Sequence, residues 1–143
     1  MSMKQGEGKA LLQEAWNKAQ NRIKGYHIHI YENGRVYHGT ARLMAETMQK
    51  VFPDDIGKIY DVGIVGPHSK ENVEIDIKPQ SFGKIVKWMQ MNNFDLSILI
   101  HPDTGDDLHD HLNAAMWIGE PVPFQESFFQ KLKQQRRANK IKP

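Results

Sequence analysis

The chemistry in this sequence concentrates in its histidines. His101-Pro102-Asp103-Thr104-Gly105-Asp106-Asp107-Leu108-His109-Asp110-His111 holds three histidines and four aspartates, directly after the apolar Leu96-Ser97-Ile98-Leu99-Ile100. A second pair, His27 and His29, is spaced i, i+2 in Tyr26-His27-Ile28-His29-Ile30-Tyr31. Imidazole serves as acid and base near neutral pH and is the commonest metal ligand. Iron, zinc, copper and nickel all accept it, and a His/carboxylate set with open positions is the arrangement of non-haem Fe(II) oxygenases. The chain contains no cysteine, which excludes disulfides, thiolate catalysis and Cys-ligated zinc or iron–sulfur centres.

Elements to position these groups can be read from periodicity. Leu12, Ala15, Trp16, Ala19 and Ile23 recur at helical spacing and predict a leading amphipathic helix over 9–23. Residues 26–31 read as a strand before the turn signal Asn33-Gly34. Ala41, Met44, Met48 and Val51 share one helical face over 40–51, with Thr40 as N-cap and Pro53 closing the segment. A strand over 57–65 runs into Gly66-Pro67-His68-Ser69, and Val73-Glu74-Ile75-Asp76-Ile77 alternates strictly. Pro79 and Ser81 then open a helix carrying Phe82, Ile85, Val86 and Met89, and Asp95–Ile100 is the last strand. The order β-α-β-β-α-β predicts an α+β, ferredoxin-like fold. Its four antiparallel strands carry both helices on one face and leave the other face open.

Alternation assigns the histidines to that open face. Ile28 and Ile30 turn toward the helices, which sends His27, His29 and Tyr31 the other way. Val73, Ile75 and Ile77 face in and Glu74 and Asp76 face out. Leu96, Ile98 and Ile100 face in, so His101 projects outward. In this topology the last strand pairs antiparallel with the first, which sets His101 beside His27 with His29 two residues along. Asp103, Asp106, Asp107 and Asp110 are candidates to hold the second nitrogen of metal-bound imidazoles.

The remaining histidines read less sharply. Taken alone, His68 is a solvent-facing turn residue beyond Gly66-Pro67, and His109 is solvated. His111 can fold back over the open face, and His38 has no neighbours that suggest chemistry. The aspartates lack the spacing and terminal glutamate of an EF-hand loop. Trp117, in Ala115-Met116-Trp117-Ile118-Gly119-Glu120-Pro121-Val122-Pro123, anchors an extended segment suited to lying across a sheet or a partner subunit.

Length and charge bound the rest. The 143 residues suit one domain with a real core. No apolar run is long enough for a membrane span, and the start lacks a signal-peptide pattern, so a cytoplasmic protein is expected. The net charge is +2, yet residues 125–143 carry six basic residues against Glu126, a local +5 that leaves the remainder at −3. The basic excess reads as a solvated or frayed terminal helix, and an acidic body argues against a nucleic-acid partner.

Together, Tyr26-His27-Ile28-His29-Ile30-Tyr31, Val65-Gly66-Pro67-His68, Val73-Glu74-Ile75-Asp76, Leu99-Ile100-His101-Pro102-Asp103-Thr104-Gly105-Asp106-Asp107, Asp110-His111 and Trp117-Ile118-Gly119-Glu120-Pro121 resemble the small DOPA 4,5-dioxygenase family. Two departures lie beside His68: Ser69 stands where relatives often carry proline, and Lys70-Glu71-Asn72 lacks aromatic or apolar residues. The resemblance implies a ferredoxin-like dioxygenase domain over 25–124; the N-terminal helical extension over 1–24 and the basic C-terminal helix or tail over 125–143 fall outside it. It further implies extradiol cleavage of a catechol such as DOPA by dioxygen, Fe(II) as cofactor with zinc or another divalent metal as isolated, and a homodimer. His27, His29 and His101 are then the metal ligands, Glu74 a fourth, and His68 or His111 the acid/base. The competing expectation is a non-catalytic ferredoxin-like module that binds a small aromatic ligand or structural zinc at a dimer interface, since this plan hosts many functions.

Overall fold

The computed structural model describes residues 4–34 and 38–141. In chain order its elements are α1 (Gln5–Arg22), β1 (Gly25–Tyr31), α2 (Thr40–Val51), β2 (Ile59–Val62), β3 (Asn72–Ile77), α3 (Phe82–Met91), β4 (Ile98–Asp103), α4 (Asp107–Leu112), β5 (Met116–Ile118) and α5 (Glu126–Ile141). A 3-10 turn, Pro79–Ser81, leads into α3. Proline suits the first turn of a helix, where its missing N–H has no partner to lose. Lys142, one of the basic residues counted in the tail, lies outside the described residues. No described helix is long and apolar enough to cross a membrane.

The fold is α+β, and its central four strands stand in the order β2-β3-β1-β4 of the ferredoxin-like plan, every neighbouring pair antiparallel. Isoleucines at alternate positions drive it. Ile28 and Ile30, Ile75 and Ile77, and Ile98 and Ile100 share one sheet face and are buried there against Met44, Ala45 and Met48 of α2 and Ile85 and Met89 of α3. Each such side chain removed from water contributes roughly 1.5–3 kcal/mol. The helices take their boundaries from local chemistry. Gly39, at φ +91°, is the residue before α2, so Thr40 is the first helical residue and not the N-cap expected of it. A left-handed backbone there suits glycine, which has no Cβ to clash.

Three further expectations are corrected. The sheet has five strands: β5 pairs antiparallel with β4, Leu99 opposite Trp117, where an extended covering segment was predicted. Its three residues are too few to show a period. β4 also starts later and runs further than Asp95–Ile100, because Phe94 and Asp95 both take positive φ and break the extended backbone. It continues through Pro102, which β5 does not reach, so the proline sits where β4 has a neighbour on one side alone. Lastly, the second sheet face is covered. Leu99 and Tyr31 are buried on it under Val122, with Ala115, Trp117 and Phe124 packed around them.

α1 forms where expected, yet none of its residues is buried, with Leu12 74% and Trp16 59% exposed.

Candidate metal centre

The covered face is where the imidazoles meet. Register sets His27 opposite His101 and His29 opposite Leu99 across β1 and β4, and His27 opposite Asp76 and His29 opposite Glu74 across β1 and β3. His27, His29 and His101 can each offer a nitrogen within 4.8 Å of the others. His29 and His101 are 2% and 3% exposed, while the His27 side chain keeps 30% of its surface in water.

Hydrogen bonds fix which nitrogens are available. Asn72 Nδ2 donates to the Lys70 carbonyl at 3.1 Å, which orients the amide so that its Oδ1 faces His29 Nδ1 at 2.9 Å. An amide oxygen only accepts, so His29 carries its proton on Nδ1. His101 Nδ1 donates to the Pro102 carbonyl at 2.9 Å by the same logic. Both Nε2 atoms therefore present lone pairs, and they stand 3.3 Å apart. Burial first, then neighbouring imidazoles, hold His29 well below the ordinary histidine range. Burial and His111 hold His101 down at about 4, so neither ring carries a second proton at neutral pH. Two lone pairs facing each other in a buried site repel unless a cation lies between them. Two imidazole nitrogens about 2.0–2.1 Å from one ion at a tetrahedral angle stand roughly 3.3–3.4 Å apart. The donor set fits a divalent metal.

Two further histidines join this cluster. The His68 ring lies 4.3 Å from that of His29, and the His111 ring 4.1 Å from that of His101, centroid to centroid. His68 is therefore buried, not the solvent-facing turn residue it resembled in isolation. Gly66, at φ +59° against Phe128, makes the turn, and Gln125 holds the loop by donating from its backbone to Pro67 and from its side chain to the His68 carbonyl. His111 reaches the sheet from α4 and donates Nδ1 to the Asp107 carbonyl at 2.9 Å. Burial lowers both, His68 to about 4. Together with His27, His29, Glu74, His101, Asp107, Pro67 and Phe128 they line a cavity of about 150 Å³.

The carboxylates fall into two groups. Glu74 Oε1 lies 3.6 Å from His29 Nε2, and burial together with Asp76 and Asp103 pushes its carboxyl up to about 8. Without a cation it holds a proton at neutral pH. Asp76 and Asp103 stand 3.7 and 3.8 Å from His27 Nε2. The loop aspartates expected to support imidazoles differ in what they do. Asp103 brings its carboxylate to a site histidine, His27, while Asp110 accepts from the Thr104 backbone and hydroxyl, Asp106 caps α4 through the His109 backbone and pairs with Arg136, and Asp107 holds His111 through its main-chain carbonyl. Asp110 has so many internal donors that its carboxylate stays below its usual range despite burial. His109 and His38 lie off the site, beside Asp110 and Glu71 respectively.

Several contributors escaped the sequence reading. Tyr31 was turned toward this face but given no task, and its hydroxyl meets His68 Nδ1 at 2.6 Å. Asn72, the first residue of β3, carried no signal. Phe128 and Phe129 open the basic terminal segment, and an aromatic pair at the head of a polar helix was the available clue. The Phe129 ring packs 5.8 Å from that of His111, so α5 starts as part of the roof over the imidazoles.

A family model described as the Dopa 4,5-dioxygenase family matches residues 26–128, the span that holds every residue of this cluster. The chain belongs to that family. The chain is similar to a DOPA 4,5-dioxygenase of Amanita muscaria, 31% identical over 108 residues, 71% of this chain and 47% of the relative. An uncharacterized 21.2 kDa protein of Botryotinia fuckeliana is 31% identical over 122 residues, 79% of this chain and 66% of that protein. The chain thus spans about half to two thirds of these relatives' length. A crystal structure from Nostoc punctiforme, provisionally assigned as a dioxygenase, superposes with a TM-score of 0.62 at 28% identity, over 79% of this chain and 96% of that one.

Proposed function

We propose that this Dopa 4,5-dioxygenase family member is an extradiol dioxygenase that opens a catechol ring, DOPA or a related catechol, with dioxygen and Fe(II). The observation that carries the reading is the pair of buried lone pairs on His29 Nε2 and His101 Nε2, 3.3 Å apart with both Nδ1 protons committed elsewhere. His27, His29 and His101 would hold the metal, with Glu74 as a fourth ligand once its proton is displaced. Bound there, Fe(II) supplies Lewis acidity toward the two catechol oxygens and redox activity toward dioxygen. Both atoms of dioxygen enter the ring-opened product, so the reaction balances with no external reductant.

The chain's own residues supply the rest. Neutral imidazoles keep their lone pairs free at physiological pH, which suits His111 Nε2 to take a phenol proton as the catechol binds. His68 and His111 flank the two central ligands within one cavity, close enough to move protons to and from a bound ring. Tyr31, Leu99, Val122, Trp117 and Phe124 form an apolar flank beside the imidazoles that keeps water out. A homodimer belongs to the same reading, and the unburied Leu12 and Trp16 of α1 offer apolar surface for it.

The test is anaerobic loading of the protein with Fe(II), followed by L-DOPA or a simple catechol and admission of air. A coloured ring-fission product that requires both metal and oxygen is expected. Protein that retains zinc and turns over no catechol under any loading would overturn the reading in favour of a binding module.

A further inference from the structure

Three of the four buried imidazoles have their Nδ1 committed to oxygens that can only accept: Asn72 Oδ1 for His29, the Pro102 carbonyl for His101 and the Asp107 carbonyl for His111. His68 differs. Its Nδ1 meets the Tyr31 hydroxyl at 2.6 Å, a group that can donate. Tyr31 is 1% exposed, and among the described residues its hydroxyl meets no other polar partner. A buried phenol with one partner must donate to it, because the opposite arrangement leaves the phenol proton unpaired at a cost of about 1–3 kcal/mol. His68 is 5% exposed and forms no ion pair among the described residues, so a charged ring there would be buried without a counter-charge. His68 Nδ1 is then an acceptor, and its single proton resides on Nε2.

We propose that Tyr31 is a positioning residue that holds His68 as its Nε2–H tautomer, making His68 the proton donor beside three imidazoles that present lone pairs. The two flanking histidines thereby divide the work: His111 accepts a proton at Nε2, and His68 delivers one from Nε2 to an oxygen of the bound substrate or its leaving group. The packing enforces this division. The His68 ring lies over His29 at 4.3 Å with its loop held by Gln125, so the ring cannot turn over without giving up the Tyr31 hydrogen bond. The Tyr31 ring is itself stacked on Trp117, 5.8 Å between centroids at an interplanar angle of 30°, which fixes the hydroxyl's direction. What the Nε2 proton is used for rests on the ring-cleaving reading above; the tautomer itself does not.

The experiment reads the tautomer directly. Long-range 1H–15N correlation spectra of uniformly 15N-labelled, metal-free protein distinguish protonated from lone-pair ring nitrogens, and loss of signals in His68→Gln assigns His68. His29, His101 and His111 are expected with Nδ1 protonated and His68 with Nε2 protonated. In Tyr31→Phe the His68 Nδ1 signal moves toward the position of a lone pair without a hydrogen bond, and kcat for the catechol falls on the order of 10-fold to 100-fold at unchanged KM. His68 protonated on Nδ1 in the wild-type protein overturns the proposal, as does a His68 Nδ1 signal that ignores the Tyr31→Phe change. The wild-type spectrum decides alone if Tyr31→Phe does not fold. The expected tautomers in a protein without ring cleavage would retain the positioning of His68 and remove the ring-cleaving reading. Ring cleavage with His68 protonated on Nδ1 would do the reverse.

Discussion

His29 and His101 point Nε2 at Nε2 across 3.3 Å, and each has already committed its only ring proton to an oxygen behind it. The metal-free protein therefore holds a local repulsion that a cation removes. Ligands that bind only the folded state stabilise it by mass action, about 2.7 kcal/mol at a hundred times Kd. For a domain of this size that raises Tm on the order of 10 °C. Calorimetry with Fe(II) under nitrogen, or with zinc, should show this rise in the wild-type protein and none in His29→Ala or His101→Ala. Full metal occupancy in either variant would remove that residue from the ligand set.

Asn72 acts at one remove. Its oxygen fixes the His29 tautomer, and partners of this kind typically contribute 10-fold to 100-fold in metal affinity. Asn72→Ala should weaken metal binding by about that factor, read by competition with a chelating dye, with little change in circular dichroism. Unaltered affinity would mean that His29 keeps its orientation by packing alone.

Glu74 carries a pH signature of its own. Its carboxyl is raised from 4.5 to about 8 in the fold, burial being the larger cause and Asp76 and Asp103 the next. A raised acid binds its proton more tightly when folded, so its favourable contribution is complete below 4.5 and is lost as pH climbs through 8. Glu74→Gln in the metal-free protein should match wild type at pH 4 and exceed it at pH 9 by about 1–3 kcal/mol in urea unfolding. Equal stability at both pH values would contradict the charge crowding described around His27.

The buried histidines act with the opposite sign. His68 and His101 are held at about 4 against 6.5, so the unfolded chain takes up protons first as pH falls. Above 6.5 both states are neutral and nothing is lost. Between 6.5 and 4 the metal-free fold should lose several kcal/mol. In Glu74→Gln, which removes the opposing trend of that carboxyl, a denaturant midpoint that stays flat from pH 7 to pH 4.5 would argue that these rings are wetter than their burial implies.

The roof can be tested by truncation. Phe129 is 4% exposed and packs against both His111 and Phe124. Phe129→Ala should cost about 3–5 kcal/mol and leave the imidazoles open to solvent. Stability within 1 kcal/mol of wild type would show that α5 merely rests on the site.

Much of this arrangement was legible before any coordinates, and the reasons are specific. Alternation along residues 26–31 and 73–77 put His27, His29 and Glu74 on one face because the side-chain period of a strand is two. The strand order then brought His101 to His27. What could not be read were features without a period. β5 is three residues long, Phe94 and Asp95 bend the chain through positive φ, and Asn72 contributes one amide oxygen from the first position of a strand. The clustered aspartates drew attention out of proportion to their role, since Asp106 and Asp110 serve the loop and helix that carry them. The roof was hidden for a different reason: residues 126–141 are dominated by lysine, arginine and glutamine, and two phenylalanines at their head were masked by the average.

Histidines and isoleucines take turns along β1, one set reaching the imidazole cluster and the other the packed interior. A strand cannot slip by one residue without sending each set to the wrong side. One inserted or deleted residue between Gly25 and Tyr31 would thus place imidazoles against Met44 and Met48 and isoleucines in the histidine cavity, erasing site and core in a single event. The fold ties its chemistry to its own integrity. Changes in chain length are admissible only in the connections, and a library that varies length there while keeping β1 and β4 in frame is the rational place to begin re-engineering this scaffold.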